Sequence, residues 1–139
     1  MKTYQNQHVT VAVEGGVHLL RQTWAGLPTS ADFRSGSLTA LELAKRHAVK
    51  RWLVDLRRLR LFNPVDLQWF AEQWLPEAVR QLPASVRVAV VVSDLNQFGK
   101  AGSDLILRAS FAANPALVSR YFLDGDDAHA WLVNGGSSP

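Results

Sequence analysis

The sequence predicts an α/β domain: a mixed, mostly parallel sheet of about five strands carrying about four helices, in the order β-β-α-β-α-β-α-β-α. Three observations predict it. HVTVAV (8–13) alternates polar and apolar residues, and VHLLRQTWAG (17–26) follows it across Glu14-Gly15-Gly16, so the pair reads as a hairpin. VAVVV (88–92) is a β-branched run of the kind a sheet covers on both faces. After the hairpin, apolar runs alternate with stretches of helical period, which calls for parallel strands joined by right-handed crossovers.

Each element has its own signal. Leu27-Pro28 ends the second strand, and Thr29 or Ser30 can cap a helix running to about His47. Phe33, Ala40, Ala44 and His47 share a face of that helix, and Gly36 weakens its first half by about 1 kcal/mol. WLVDL (52–56) reads as a buried central strand. A helix from Pro64 to about Leu82 follows. Ser103 caps a helix ending at Asn114-Pro115. RYFLD (120–124) is the last strand, and Asp126 caps a last helix, DDAHAWLVN, stopped by Gly135. Residues 1–133 make one domain, and the tail 134–139 is expected to be disordered.

Composition narrows the function. A net charge of +3 permits an acidic partner without demanding one. The absence of cysteine removes disulfides, thiolate nucleophiles and cysteine-ligated metals, and is compatible with a reducing cytoplasm, the expected location. No signal-peptide pattern opens the chain and no run is long enough to span a membrane.

Catalytic constellations are weak. Ser35-Gly36-Ser37 lies in a helix pattern without the strand that a nucleophile elbow needs. His8, His18, His47 and His129 form no i, i+4 pair, so neither a metal nor another cofactor is expected. FGKAGSD (98–104) has phosphate-loop chemistry, but Lys100 precedes the second glycine and no Ser or Thr follows it; a connecting loop is the simpler account. No enzyme activity is expected. Asp55 and Asp66 are the one carboxylate pair to weigh, and Asp66 already has a capping role.

LRRLRLFNPVDLQW (56–69) is the stretch with most to offer. Arg57, Arg58 and Arg60 sit just past a buried strand, where they form a solvated rim or contact an anionic partner. Nothing beyond them continues a basic–aromatic pattern and no helix-turn-helix is present, so nucleic acid is not the expected partner. Asn63 is an N-cap, Pro64 takes N1, and Asp66 at N3 complements the helix dipole. Leu67, Phe70, Ala71, Trp74, Ala78 and Leu82 share the inward face of the helix. Trp69 falls opposite, partly exposed or covered by another element. Pro76 predicts a kink near Trp74-Leu75.

VDLRRLRLFNPVDLQWF, with Trp24-x-Gly26, Leu53-x-Asp55, Asp66-x-x-Trp69, Pro76, Val88–Val92 and Ala128-x-x-Trp131-Leu132, resembles the STAS/SEC14-like (SpoIIAA-like) family over residues 8–133. The resemblance implies a small domain with helices lining one side of a sheet, and a regulatory binding module. In that family's anti-sigma-factor antagonists, a serine at the start of the helix after the third strand is phosphorylated. Here that place holds Asn63-Pro64-Val65-Asp66, and no hydroxyl occurs from Leu56 through Ala84. The expected activity is protein binding through Arg57, Arg58, Arg60, Asn63 and Trp69, to a partner or to a second copy in a homodimer. The alternative is a small apolar or lipid-like ligand held beside Trp74 and Pro76.

Overall fold

The computed structural model describes residues 2–60, 63–82, 86–94 and 118–134. Its six strands are β1 (Lys2–Gln5), β2 (Val9–Glu14), β3 (Leu19–Gly26), β4 (Arg51–Leu59), β5 (Arg87–Val91) and β6 (Val118–Phe122). They form one sheet in the order β1-β2-β3-β4-β5-β6. β2 is antiparallel to both β1 and β3; the pairs from β3 to β6 are parallel.

β1 adds a strand to the expected hairpin. Lys-Thr-Tyr-Gln has no apolar alternation to announce it. The turn after it does the work: Asn6 Oδ1 accepts from the His8 amide at 2.8 Å and the Val9 amide at 3.0 Å, folding the chain back along β2. The expected glycine turn between β2 and β3 is a 3₁₀ turn, Gly15–Val17. Its left-handed residue is His18 (φ 51°), not a glycine.

Helix α1 (Ser30–Arg46) is capped by Thr29, whose side chain accepts from the Asp32 amide. Gly36 has a structural reason to be there. A Cβ at this position would lie 2.6 Å from Val9 Cγ1 and 3.1 Å from the Trp24 ring, so the missing side chain lets α1 lie against the sheet.

The helix expected over 64–82 is divided into α2 (Pro64–Trp69), a π-helical turn (Phe70–Trp74) and α3 (Leu75–Gln81). The Leu75 amide reaches back to the Phe70 carbonyl. Pro76 has no N–H for the carbonyl four residues back and its ring crowds it, so the ladder widens by one residue at the expected kink.

The last helix, α4 (Gly125–Val133), is capped by Asp124, two residues earlier than expected. Asp124 Oδ1 accepts from the Asp126 amide at 2.7 Å and the Asp127 amide at 3.2 Å. The helix expected from Ser103 and the FGKAGSD loop lie outside the described residues.

Two cores flank the sheet. On one face Val9, Val11, Leu20, Trp24 and Trp52 pack with α1 and the α2–α3 segment. On the other, Leu19, Leu53, Ala89 and Val91 meet Ala128 and Leu132 of α4. Trp52 and Leu53 point to opposite faces and both are buried, as WLVDL suggested. The helices therefore do not all line one side. α4 crosses to the far face, where its apolar pair covers β4 and β5. Trp131 is half-buried there, beneath the Arg87 guanidinium at 4.8 Å.

Arg51 holds the end of α4. Its Nε donates to the Leu132 carbonyl at 2.8 Å, and its Nη1 donates to the Val17 carbonyl. Arg51→Ala is expected to cost about 1–3 kcal/mol in urea denaturation, because it strips charged donors from two carbonyls. Hydrogen exchange should rise first in the last turn of α4.

Candidate interaction surface

In a parallel βαβ unit each helix starts where a strand ends. The C-terminal ends of β3, β4 and β6 therefore carry the starts of α1, α2 and α4 along one rim of the sheet. Most of the residues expected at the site stand on this rim.

β4 extends to Leu59, so Arg57 and Arg58 lie inside the strand and not just past it. Its pairing with β3 slips between Thr23↔Asp55 and Ala25↔Arg58, which leaves an extra residue in β4. The bulge reverses the alternation. Leu56 and Leu59 both pack into the α1–α2 core, although they are three residues apart. Arg57 points to the α4 face, beside Asp55.

The arginines differ in their partners. Asp55 Oδ2 accepts from Arg57 Nη2 at 2.8 Å, and Asp55 Oδ1 accepts from Arg57 Nε at 3.1 Å and from the Arg57 amide at 3.0 Å. Arg57 also lies against the start of α4, with Nη2 3.2 Å from where a Gly125 Cβ would be. Arg58 and Arg60 are exposed. Among the described residues, neither makes an ion pair.

Burial tends to raise the Asp55 carboxyl, but the hydrogen bonds and charge of Arg57 outweigh it and hold the group below its ordinary 3.8. A depressed carboxyl stabilises the fold above its unfolded pKa, and that contribution is lost as pH falls through the lowered folded value. The gap in urea stability between wild type and Asp55→Asn is expected to be under about 1 kcal/mol at neutral pH, since Arg57 faces solvent. It should close as the pH is taken well below 3.8.

The start of α2 is built as expected. Asn63 Oδ1 accepts from the Val65 amide at 2.8 Å and Pro64 takes the first helical position. Asp66 does more than complement the dipole. It is 1% exposed, and its Oδ2 accepts from the Ser30 hydroxyl at 2.9 Å. Arg34 Nε stands 3.6 Å from its other oxygen, which has no hydrogen bond. A hydroxyl thus does reach the start of α2, from α1 and not from α2 itself.

Trp69 is half-buried between the same two helices. Its ring meets Phe33 edge-on at 6.2 Å between centroids, and the Arg34 guanidinium covers it at 5.1 Å. The rim instead exposes aliphatic residues: Leu27, 56% exposed, ahead of α1, and Val65, 65% exposed, in the first turn of α2. Nearby, His8 Nδ1 and Asp32 Oδ2 are 2.7 Å apart, tying the turn before β2 to α1.

Trp74 lies deeper, away from the rim. It stacks on Phe70 at 4.4 Å, meets Trp52 edge-on at 5.7 Å, and donates from Nε1 to the Ser37 carbonyl at 2.7 Å. Pro76 is on the outer side of the helix, exposed.

No protein-family model matches the chain, and no curated protein does. Solved structures do. An uncharacterized DUF3478-family protein with a SpoIIAA-like fold from Shewanella loihica PV-4 superposes with a TM-score of 0.63 at 18% identity, covering 94% of this chain and 99% of its own. An anti-sigma factor antagonist from Mycobacterium paratuberculosis superposes at 0.55 with 14% identity, covering 89% and 93%. The fold is therefore SpoIIAA-like, as the resemblance in the sequence implied. Among the described residues, no helix is long and apolar enough to cross a membrane.

Proposed function

We propose that this domain is a non-catalytic regulatory module that docks a protein partner on the rim formed by the end of β4 and the start of α2. One observation carries the reading. Arg58 and Arg60 stand exposed and unpaired among the described residues, and Val65, a β-branched apolar side chain in the first turn of α2, is held out in solvent. Aliphatic contact area flanked by available guanidinium groups suits a protein surface with acidic side chains. The SpoIIAA-like fold supports the same reading, since one structural neighbour is an anti-sigma factor antagonist.

The switch serine of such antagonists has no counterpart in α2, so we propose that docking here is constitutive at this position. Asn63 and Trp69 contribute by fixing α2: the first caps it, the second clamps it to α1. Arg57 acts through Asp55. A small-ligand role centred on Trp74 and Pro76 is the second reading. It requires the Phe70–Trp74 stack and the Trp52 contact to open.

The test is Arg58→Glu with Val65→Glu in the full chain. Both side chains are exposed, and Glu in the first turn of α2 favours the helix dipole, so thermal stability should change little. Native mass spectrometry of tagged protein from cells is expected to show wild type in a complex and the variant alone. An unchanged complex would refute rim docking.

A further inference from the structure

We infer that the partner at this rim is a second copy of the same chain. The inference rests on the rim-docking reading and names its occupant. The observation behind it is that the rim carries both charge signs at separate corners. At the end of β4, Arg58 and Arg60 are exposed, and Val65 is exposed in the first turn of the helix that follows. At the start of α4, Asp126 and Asp127 are exposed beside Leu123, itself 57% exposed. Arg57, the cation that faces this acidic corner from β4, is already held by Asp55.

The two corners are two strands apart, about 10 Å along the sheet. A two-fold axis lying in the rim, perpendicular to the line joining them, sets each copy's Arg58 and Arg60 against the other's Asp126 and Asp127. Val65 and Leu123 meet across the same contact. Such an interface is isologous, with every contact made twice. A foreign acidic partner would satisfy the basic corner and be repelled by the acidic one. A second copy satisfies both.

The experiment uses two full-length variants. Arg58→Glu/Arg60→Glu makes the rim acidic throughout, and Asp126→Lys/Asp127→Lys makes it basic throughout. By sedimentation velocity, wild type is expected to dimerise, with an affinity that falls as salt rises. Each variant alone should self-associate at least about ten-fold more weakly. An equimolar mixture should form a heterodimer, since both contacts are restored with reversed sign. Lysines at the start of α4 act against its dipole, so Asp127→Lys alone, mixed with the acidic variant, serves as a milder second case.

A wild type that stays monomeric across the micromolar range would overturn the inference. So would a dimer indifferent to salt and to both reversals, or a pair of folded variants that ignore each other. If wild type is monomeric while Arg58→Glu/Val65→Glu still loses its cellular complex, self-pairing fails and rim docking stands. If neither effect is seen, both readings fail.

Discussion

Trp74→Ala is expected to destabilise the domain by about 3–5 kcal/mol, the cost of emptying a large aromatic site in a packed core. The ring joins three elements. It stacks on Phe70 within the π turn, meets Trp52 of β4, and donates to the Ser37 carbonyl of α1. Removing it leaves a void between sheet and helices and takes one donor from the Ser37 carbonyl. Trp74→Phe separates these losses: it keeps an aromatic face against Phe70 and forfeits the Nε1 bond. Chemical denaturation should place it well above alanine and below wild type, the hydrogen bond accounting for about 1 kcal/mol. A loss under about 1 kcal/mol for Trp74→Ala would show the site to be loosely filled, and would move the small-ligand reading ahead of protein docking.

Gly36→Val is expected to cost about 3 kcal/mol, at the upper end for overpacking. Its first added carbon would already lie 2.6 Å from Val9 Cγ1 and 3.1 Å from the Trp24 ring. Val9 is buried and branched at Cβ, so it has no long flexible end to swing aside. Gly36→Ala sets two effects against each other. Helix propensity gains about 1 kcal/mol, and the contact with Val9 costs about 1–3 kcal/mol. The net should be a small loss by urea denaturation. A gain of about 1 kcal/mol would mean that α1 need not approach the sheet so closely.

The parts of the fold legible in the sequence are those where one short segment carries its own signal. β2 and β5 are announced by alternation and β-branching, the start of α2 by Asn63-Pro64, and a break in the following helix, though not its π-helical form, by Pro76. The missed parts depend on partners distant in sequence. β1 has no pattern of its own and exists because the Asn6 turn lays it on β2. The burial of Asp66 is set by Ser30, 36 positions away.

The arginines show the limit most clearly. LRRLR reads as a single basic stretch, and only the slip in register between Thr23 and Ala25 of β3 sends Arg57 to one face while Leu59 turns to the other. A bulge depends on the neighbouring strand, which local pattern does not encode. The same holds for Trp69, whose outward position on α2 is legible but whose cover, Phe33 and Arg34, comes from α1.

Site-specific photocrosslinking in cells tests rim docking most directly. A photoreactive residue is placed at Val65 on the rim, and for comparison at Leu38, also exposed but about two turns along α1 from it. Adducts are expected at Val65 and not at Leu38, and should disappear when Arg58→Glu is added. Equal labelling at both positions, or labelling at Leu38 alone, would contradict the account.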